Sequence, residues 1–110
     1  MAYKVVVTPP ANHRLEMYVG YTIVKLKNPE AARSILKDAV KTKNRLADVA
    51  DTLQICANPV LAKYEYRKMH FLKHDFVMIY RIDDNKVVVD GMYHELQDWE
   101  SLFINDMKLT

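Results

Sequence analysis

The stretch FVMIYRIDDNKVVVDGMYHELQDWESLF, from Phe76 to Phe103, decides the fold. Two runs rich in β-branched and aromatic residues flank Asp83-Asp84-Asn85. Asp and Asn tolerate the left-handed backbone of a tight turn, so the unit reads as a β-hairpin. Phe76, Met78, Tyr80 and Ile82 alternate with Val77, Ile79 and Arg81, and a run apolar on both faces predicts a central strand covered, at least in part, on both sides. Lys86 to His94 forms the last strand, and Gly91 inside it marks a bulge or a close backbone approach. That strand ends in Tyr93-His94, which puts an imidazole at a strand end. Leu96, Trp99, Leu102 and Phe103 then recur at helical spacing and predict a short C-terminal helix.

Working back toward the N-terminus, Tyr64 to about Leu72 alternates as a mixed strand, and Lys73-His74-Asp75 turns the chain into the central one. Asn58-Pro59 closes the segment before it. Ala32, Ile35, Leu36, Ala39, Val40, Leu46, Val49, Ala50 and Leu53 form the stripe of a long helix, which weakens from Lys41 to Arg45 and predicts a bend or break there. Asn28-Pro29-Glu30 starts that helix: a capping Asn, a Pro where a missing N–H costs nothing, and an acid that complements the helix dipole. Leu15, Tyr18, Val19, Thr22, Ile23 and Leu26 share one face of an earlier helix, with Thr8 as its cap and Pro9 at its first position. Tyr3 to Thr8 is a valine-rich strand. The joint between the helices is too short for anything but an antiparallel hairpin.

The order is therefore β-α-α-β-β-β-α. Helices grouped before a three-stranded meander predict an α+β fold, with a mostly antiparallel sheet that the first strand joins. A chain of 110 residues is a single domain spanning 1–110, and with half its residues hydrophobic it can bury a core without disulfides or metal. Its one cysteine, Cys56, cannot make an internal bridge, which suits a reducing cytoplasm. MAYKVVVTPP lacks the apolar length of a signal peptide and no run reaches membrane-spanning length, so a soluble protein away from the membrane is expected.

The net charge of +2 says less than its distribution. From residue 55 to 82, Lys63, Arg67, Lys68, Lys73 and Arg81 outnumber Glu65 and Asp75, with His70 and His74 close by. From 83 onward, seven acids face only Lys86 and Lys108. The middle strands can meet an anion and the tail cannot, although a solvated sheet face accounts for clustering this mild equally well.

The element order and several local motifs resemble the RelE/ParE toxin superfamily over nearly the whole chain. The carriers are Thr8-Pro9-Pro10-Ala11 after the first strand, Asn28-Pro29-Glu30-Ala31-Ala32 between the helices, Tyr66-Arg67, Phe76 to Ile82, and Tyr93-His94-Glu95-Leu96-Gln97-Asp98-Trp99-Glu100. Each motif is weak alone; together, in this order, they are specific for the superfamily. The resemblance implies a toxin held inactive by a cognate antitoxin. RelE-like branches cut mRNA on the ribosome, whereas ParE-like branches inhibit DNA gyrase and have no nuclease activity. A shared fold cannot choose between them.

Metal-free RNA cleavage needs a general base, cations at the phosphate and an acid for the leaving oxygen. Tyr93-His94 resembles the C-terminal Tyr-His of the YoeB branch of RelE-like nucleases, so His94 is the candidate acid or base; the plain alternative is a strand-end histidine bonded to the helix that follows. Arg67 is the candidate phosphate binder, since a planar guanidinium suits two phosphate oxygens. Lys63, Lys68, His70, Lys73 and Arg81 are candidate substrate contacts, although alternation sets Arg67 and Lys68 on opposite faces. Tyr64, Tyr66 and Tyr93 could stack on bases, against the ordinary reading of half-buried strand tyrosines. His70, His74 and Asp75 lack a second cluster at ligand spacing, so neither metal nor cofactor is expected. One departure counts against cleavage: RelE-like nucleases commonly carry an arginine three residues before the central strand's tyrosine, and that position here is Val77. Tyr93-His94 places an mRNA endonuclease acting with the ribosome first, with gyrase inhibition or a non-enzymatic binding protein as the alternative.

Overall fold

The computed structural model describes residues 2–110. Strand β1 (Lys4–Val7) leads into α1 (Pro9–Val24) and α2 (Pro29–Val49). A five-residue helix α3 (Pro59–Lys63) precedes the meander β2 (Arg67–His70), β3 (Phe76–Asp83) and β4 (Lys86–His94), and α4 (Trp99–Met107) closes the chain. The strands form one sheet in the order β1-β4-β3-β2, with β1 parallel to β4 and the meander antiparallel. The expected order is present, with α3 added: Asn58 does not end a helix but caps one, accepting from the backbone N–H groups of Val60 and Leu61.

The sheet separates two cores, which explains why β3 is apolar on both faces. On one face Phe76, Met78, Tyr80, Val87, Val89 and Met92 pack against Leu15, Ile35, Ala39 and Leu46 of the helical hairpin. On the other, Val77, Ile79 and Tyr93 pack with Leu61, Tyr66 and Phe103. The hairpin turn lifts Asp84 to φ 59°, in the left-handed region that short polar side chains tolerate. Opposite Ile79 and Tyr80 the β4 register slips by one residue, a bulge at Asp90 next to Gly91. Gly91 also has no room for a side chain: a Cβ there would lie 2.6 Å from Tyr93 Cε2 and 2.7 Å from Phe103 Cδ1.

Four details expected from the sequence are corrected. Helix α2 is unbroken from Pro29 to Val49. Its buried face includes Asp38 and Thr42, two polar residues that the apolar stripe omitted, while Leu36 and Val40 are exposed. Thr8 sits at the N-terminal cap of α1, yet its hydroxyl donates to Val89 O at 3.1 Å instead of capping the helix. The strand expected from Tyr64 to Leu72 is confined to Arg67–His70, because Tyr64 and Glu65 turn the chain out of α3, with Glu65 at φ 60°.

Candidate functional site

A cleft of about 550 Å3 opens where α1 and the start of α2 overhang the ends of β3 and β4, and its walls include Arg14, Met17, Tyr18, Tyr21, Leu26, Phe76, His94 and Gln97. His94 is there because β4 ends opposite the start of β3, pairing His94 with Phe76. The two rings meet edge to face, with centroids 5.0 Å apart, and Tyr18 packs on the same phenyl ring at 5.1 Å. The Leu96 N–H donates to His94 Nδ1 at 3.1 Å, so the neutral ring carries its proton on Nε2. The Tyr18 hydroxyl donates to Gln97 Oε1. The site thus offers one oriented imidazole, the phenols of Tyr18 and Tyr21, an amide and mainly apolar walls.

Arg14 is the one guanidinium on the cleft wall, and it is already engaged. Its Nε and a terminal nitrogen donate to both oxygens of Asp106, each at 2.9 Å. That hydrogen-bonded pair holds the Asp106 carboxyl below its ordinary range and raises Arg14 above its own. Tyr93 completes this cluster from the far side of the sheet. It is only 1% exposed, and its hydroxyl donates to Asp106 at 2.6 Å; burial first and then that carboxylate push the phenol strongly upward. The Tyr93 hydroxyl therefore ties β4 to α4 in the interior.

The remaining candidates are dispersed. Arg67 pairs with Tyr80 on β3 and His94 with Phe76, four residues along the same strand. That is about 13 Å of strand, with two further strand spacings across the sheet. At its own end, the Arg67 guanidinium donates to Leu53 O at 2.5 Å and Asp51 O at 3.2 Å, tying down the end of the segment after α2. Arg81 donates to the buried Asp90 at 3.0 Å, and Tyr66 donates to the same carboxylate at 2.8 Å. Burial, followed by Asp90, pushes the Tyr66 phenol up to about 12. Lys68 lies over the Trp99 ring, 5.1 Å from its centroid, on the face opposite Arg67. Lys63 reaches Thr110 O at 3.2 Å. His70 faces Glu95 at 3.7 Å, and Lys73 is exposed in the β2–β3 turn. Val77 is fully buried against the second core, so no group reaches the cleft from that position.

Sequence reasoning missed Asp38 and its partners. The buried Asp38 carboxylate accepts from the backbone N–H groups of Lys73 and His74 and contacts the His74 ring at 2.8 Å. Thr42, one turn on, accepts from Leu72 N–H at 3.1 Å. Burial works to raise the Asp38 carboxyl, but the bonds from the His74 ring and the two N–H groups outweigh it and hold the carboxyl low. An acid and a threonine spaced i, i+4 on an otherwise apolar helix face were the available signal. Among the described residues, no group of three His, Cys, Asp or Glu comes together in a way that could hold a metal ion. Among the described residues, no helix is long and apolar enough to cross a membrane.

Comparison with known proteins places this geometry. Residues 5–99 match the family described as the ParE toxin of the type II toxin-antitoxin system parDE. A solved structure of the chromosomal ParDE TA system from P. aeruginosa superposes with a TM-score of 0.68, covering 84% of this chain and 96% of that one at 18% identity. At that identity the likeness speaks for the fold alone. No curated protein matches the chain.

Proposed function

The chain belongs to the ParE toxin family of type II toxin-antitoxin systems, and from that premise we propose that it arrests growth by binding and inhibiting DNA gyrase in the cytoplasm rather than by cutting mRNA. The observation that carries this reading is Arg67. The one arginine assigned to a phosphate spends its guanidinium on the backbone carbonyls of Asp51 and Leu53, remote from His94. Arg14 and Arg81 are likewise held by Asp106 and Asp90. Phosphoryl transfer without metal depends on cations placed where charge develops, and the imidazole has none of these arginines free beside it. An apolar cleft with few polar groups suits protein contact better than a polyanion. Its exposed Met17, Tyr21 and Leu26 also give a cognate antitoxin an apolar surface to cover.

The second reading, an mRNA endonuclease working with the ribosome, is favoured by one observation: His94 is oriented through Nδ1, with Nε2 left to exchange a proton. In that mechanism the RNA 2′-hydroxyl attacks the adjacent phosphorus, the 5′-oxygen leaves, and a cyclic phosphate remains, with His94 moving the proton. Controlled expression without the antitoxin separates the two. Gyrase inhibition gives a DNA-damage response with intact messages. Early cleavage of messages without that response contradicts it, and unaffected growth points instead to a toxin fold retained only for binding.

A further inference from the structure

The solvent face of α2 carries Arg33, Lys37, Lys41 and Arg45, each four residues from the next and all exposed. Steps of four keep them in one slowly turning stripe with a rise of about 6 Å per step, about 18 Å end to end. Among the described residues, none of the four takes part in an ion pair. The one acid inside the run, Asp38, is turned inward, 4% exposed, with its oxygens occupied by the β2–β3 turn. The same bonds hold the backbone of the exposed Lys73 against α2. Glu30 and Asp48 lie beyond the two ends. On the opposite side of the sheet, α4 and its N-terminal cap carry Asp98, Glu100 and Asp106, with Asp106 paired to Arg14 and Lys68 lying over Trp99.

From this arrangement we infer that the outer face of α2 is a docking surface for the phosphodiester backbone of a nucleic acid duplex, with Arg33, Lys37, Lys41 and Arg45 as the phosphate contacts and Lys73 widening the strip. Regularly spaced cations without a pocket match a regular polyanion, because phosphate contacts position a protein on a duplex without reading bases. A duplex carries about one charge per 1.7 Å of axis, dense enough for every member of the stripe to find a phosphate. The inference names a surface and a ligand beyond the proposed gyrase inhibition, and its test contains no gyrase.

The full-length protein is titrated against labelled 20-base-pair duplexes of DNA and of RNA across a salt series. Four phosphate contacts predict that log K falls with log salt at a slope of about −3 to −4. Lys37→Gln/Lys41→Gln should lower affinity about tenfold or more and make the slope shallower by about two. Lys108→Glu removes the same net charge from the other layer and should leave binding nearly unchanged. Binding of either duplex with this pattern supports the inference, and the tighter one identifies the natural source of the phosphates. No binding at low salt, equal losses in the two variants, or equal competition by poly-glutamate, which would mark a surface for an acidic protein segment, each overturns it.

Discussion

The carboxylate of Asp38 on α2 and the ring of His74 in the β2–β3 turn lie 2.8 Å apart, and the same carboxylate takes the backbone N–H groups of residues 73 and 74. This joint fixes the second helix of the hairpin to the sheet. The Glu95 N–H donates to Asp75 O at 2.8 Å, so the joint also steadies the chain just past His94. Asp38→Ala leaves part-buried donors without their acceptor and should cost about 1–3 kcal/mol, while Asp38→Asn keeps an acceptor and should cost less. Urea unfolding of the two variants checks the order; equal stability of wild type and Asp38→Ala would refute the joint.

Acid should loosen the fold through two carboxylates. Asp38 and Asp106 are both held below the ordinary aspartate value in the folded state. A depressed folded-state value adds stability that is fully present above the unfolded value of about 3.9 and is lost as pH falls through the folded one. Asp106→Asn removes one of these contributions, so its unfolding free energy should change less steeply than wild type between neutral pH and pH 3. Unfolding curves collected across that range decide it, and an unchanged slope would mean that the Arg14–Asp106 pair contributes nothing.

Gly91 is required for space rather than for an unusual backbone angle. Gly91→Ala drives a methyl into the Tyr93 and Phe103 rings at 2.6 and 2.7 Å. Overpacking of this kind costs about 1–3 kcal/mol. A clear drop in melting temperature is expected, and Tyr93→Leu in the same chain should recover part of it by freeing the space.

Much of this architecture was legible in sequence because it rests on period and punctuation. The two-residue alternation of β3 and β4, the Asp84-Asn85 turn, and Asn28-Pro29 at the start of α2 each have a local cause. What stayed hidden depended on long-range partners. Asp38 and Thr42 fall outside the apolar stripe, and a turn 30 or more residues away supplies their hydrogen bonds. Asn58-Pro59 reads equally as an ending or a beginning, and it begins α3. At the site, Tyr93-His94 located the imidazole at a strand end. Arg67 was singled out by residue type, and only the fold shows its guanidinium on the Asp51 and Leu53 carbonyls.

His94 separates the two mechanisms within one variant. If the toxin acts by binding gyrase, His94→Ala trims one wall of the cleft and growth arrest persists. If it cleaves RNA, loss of a general acid or base lowers the rate by about 100- to 10,000-fold. Growth after induction of wild type and His94→Ala at matched protein levels reads the difference; survival of cells expressing the variant would favour the nuclease.

The most direct test is gyrase itself. Purified toxin is added to gyrase, ATP and relaxed plasmid, and supercoiling is followed with and without the cognate antitoxin. The account predicts loss of supercoiling that rises with toxin concentration and is relieved by antitoxin, with RNA in the same tube left whole. Undiminished supercoiling by a toxin that still stops growth would contradict it.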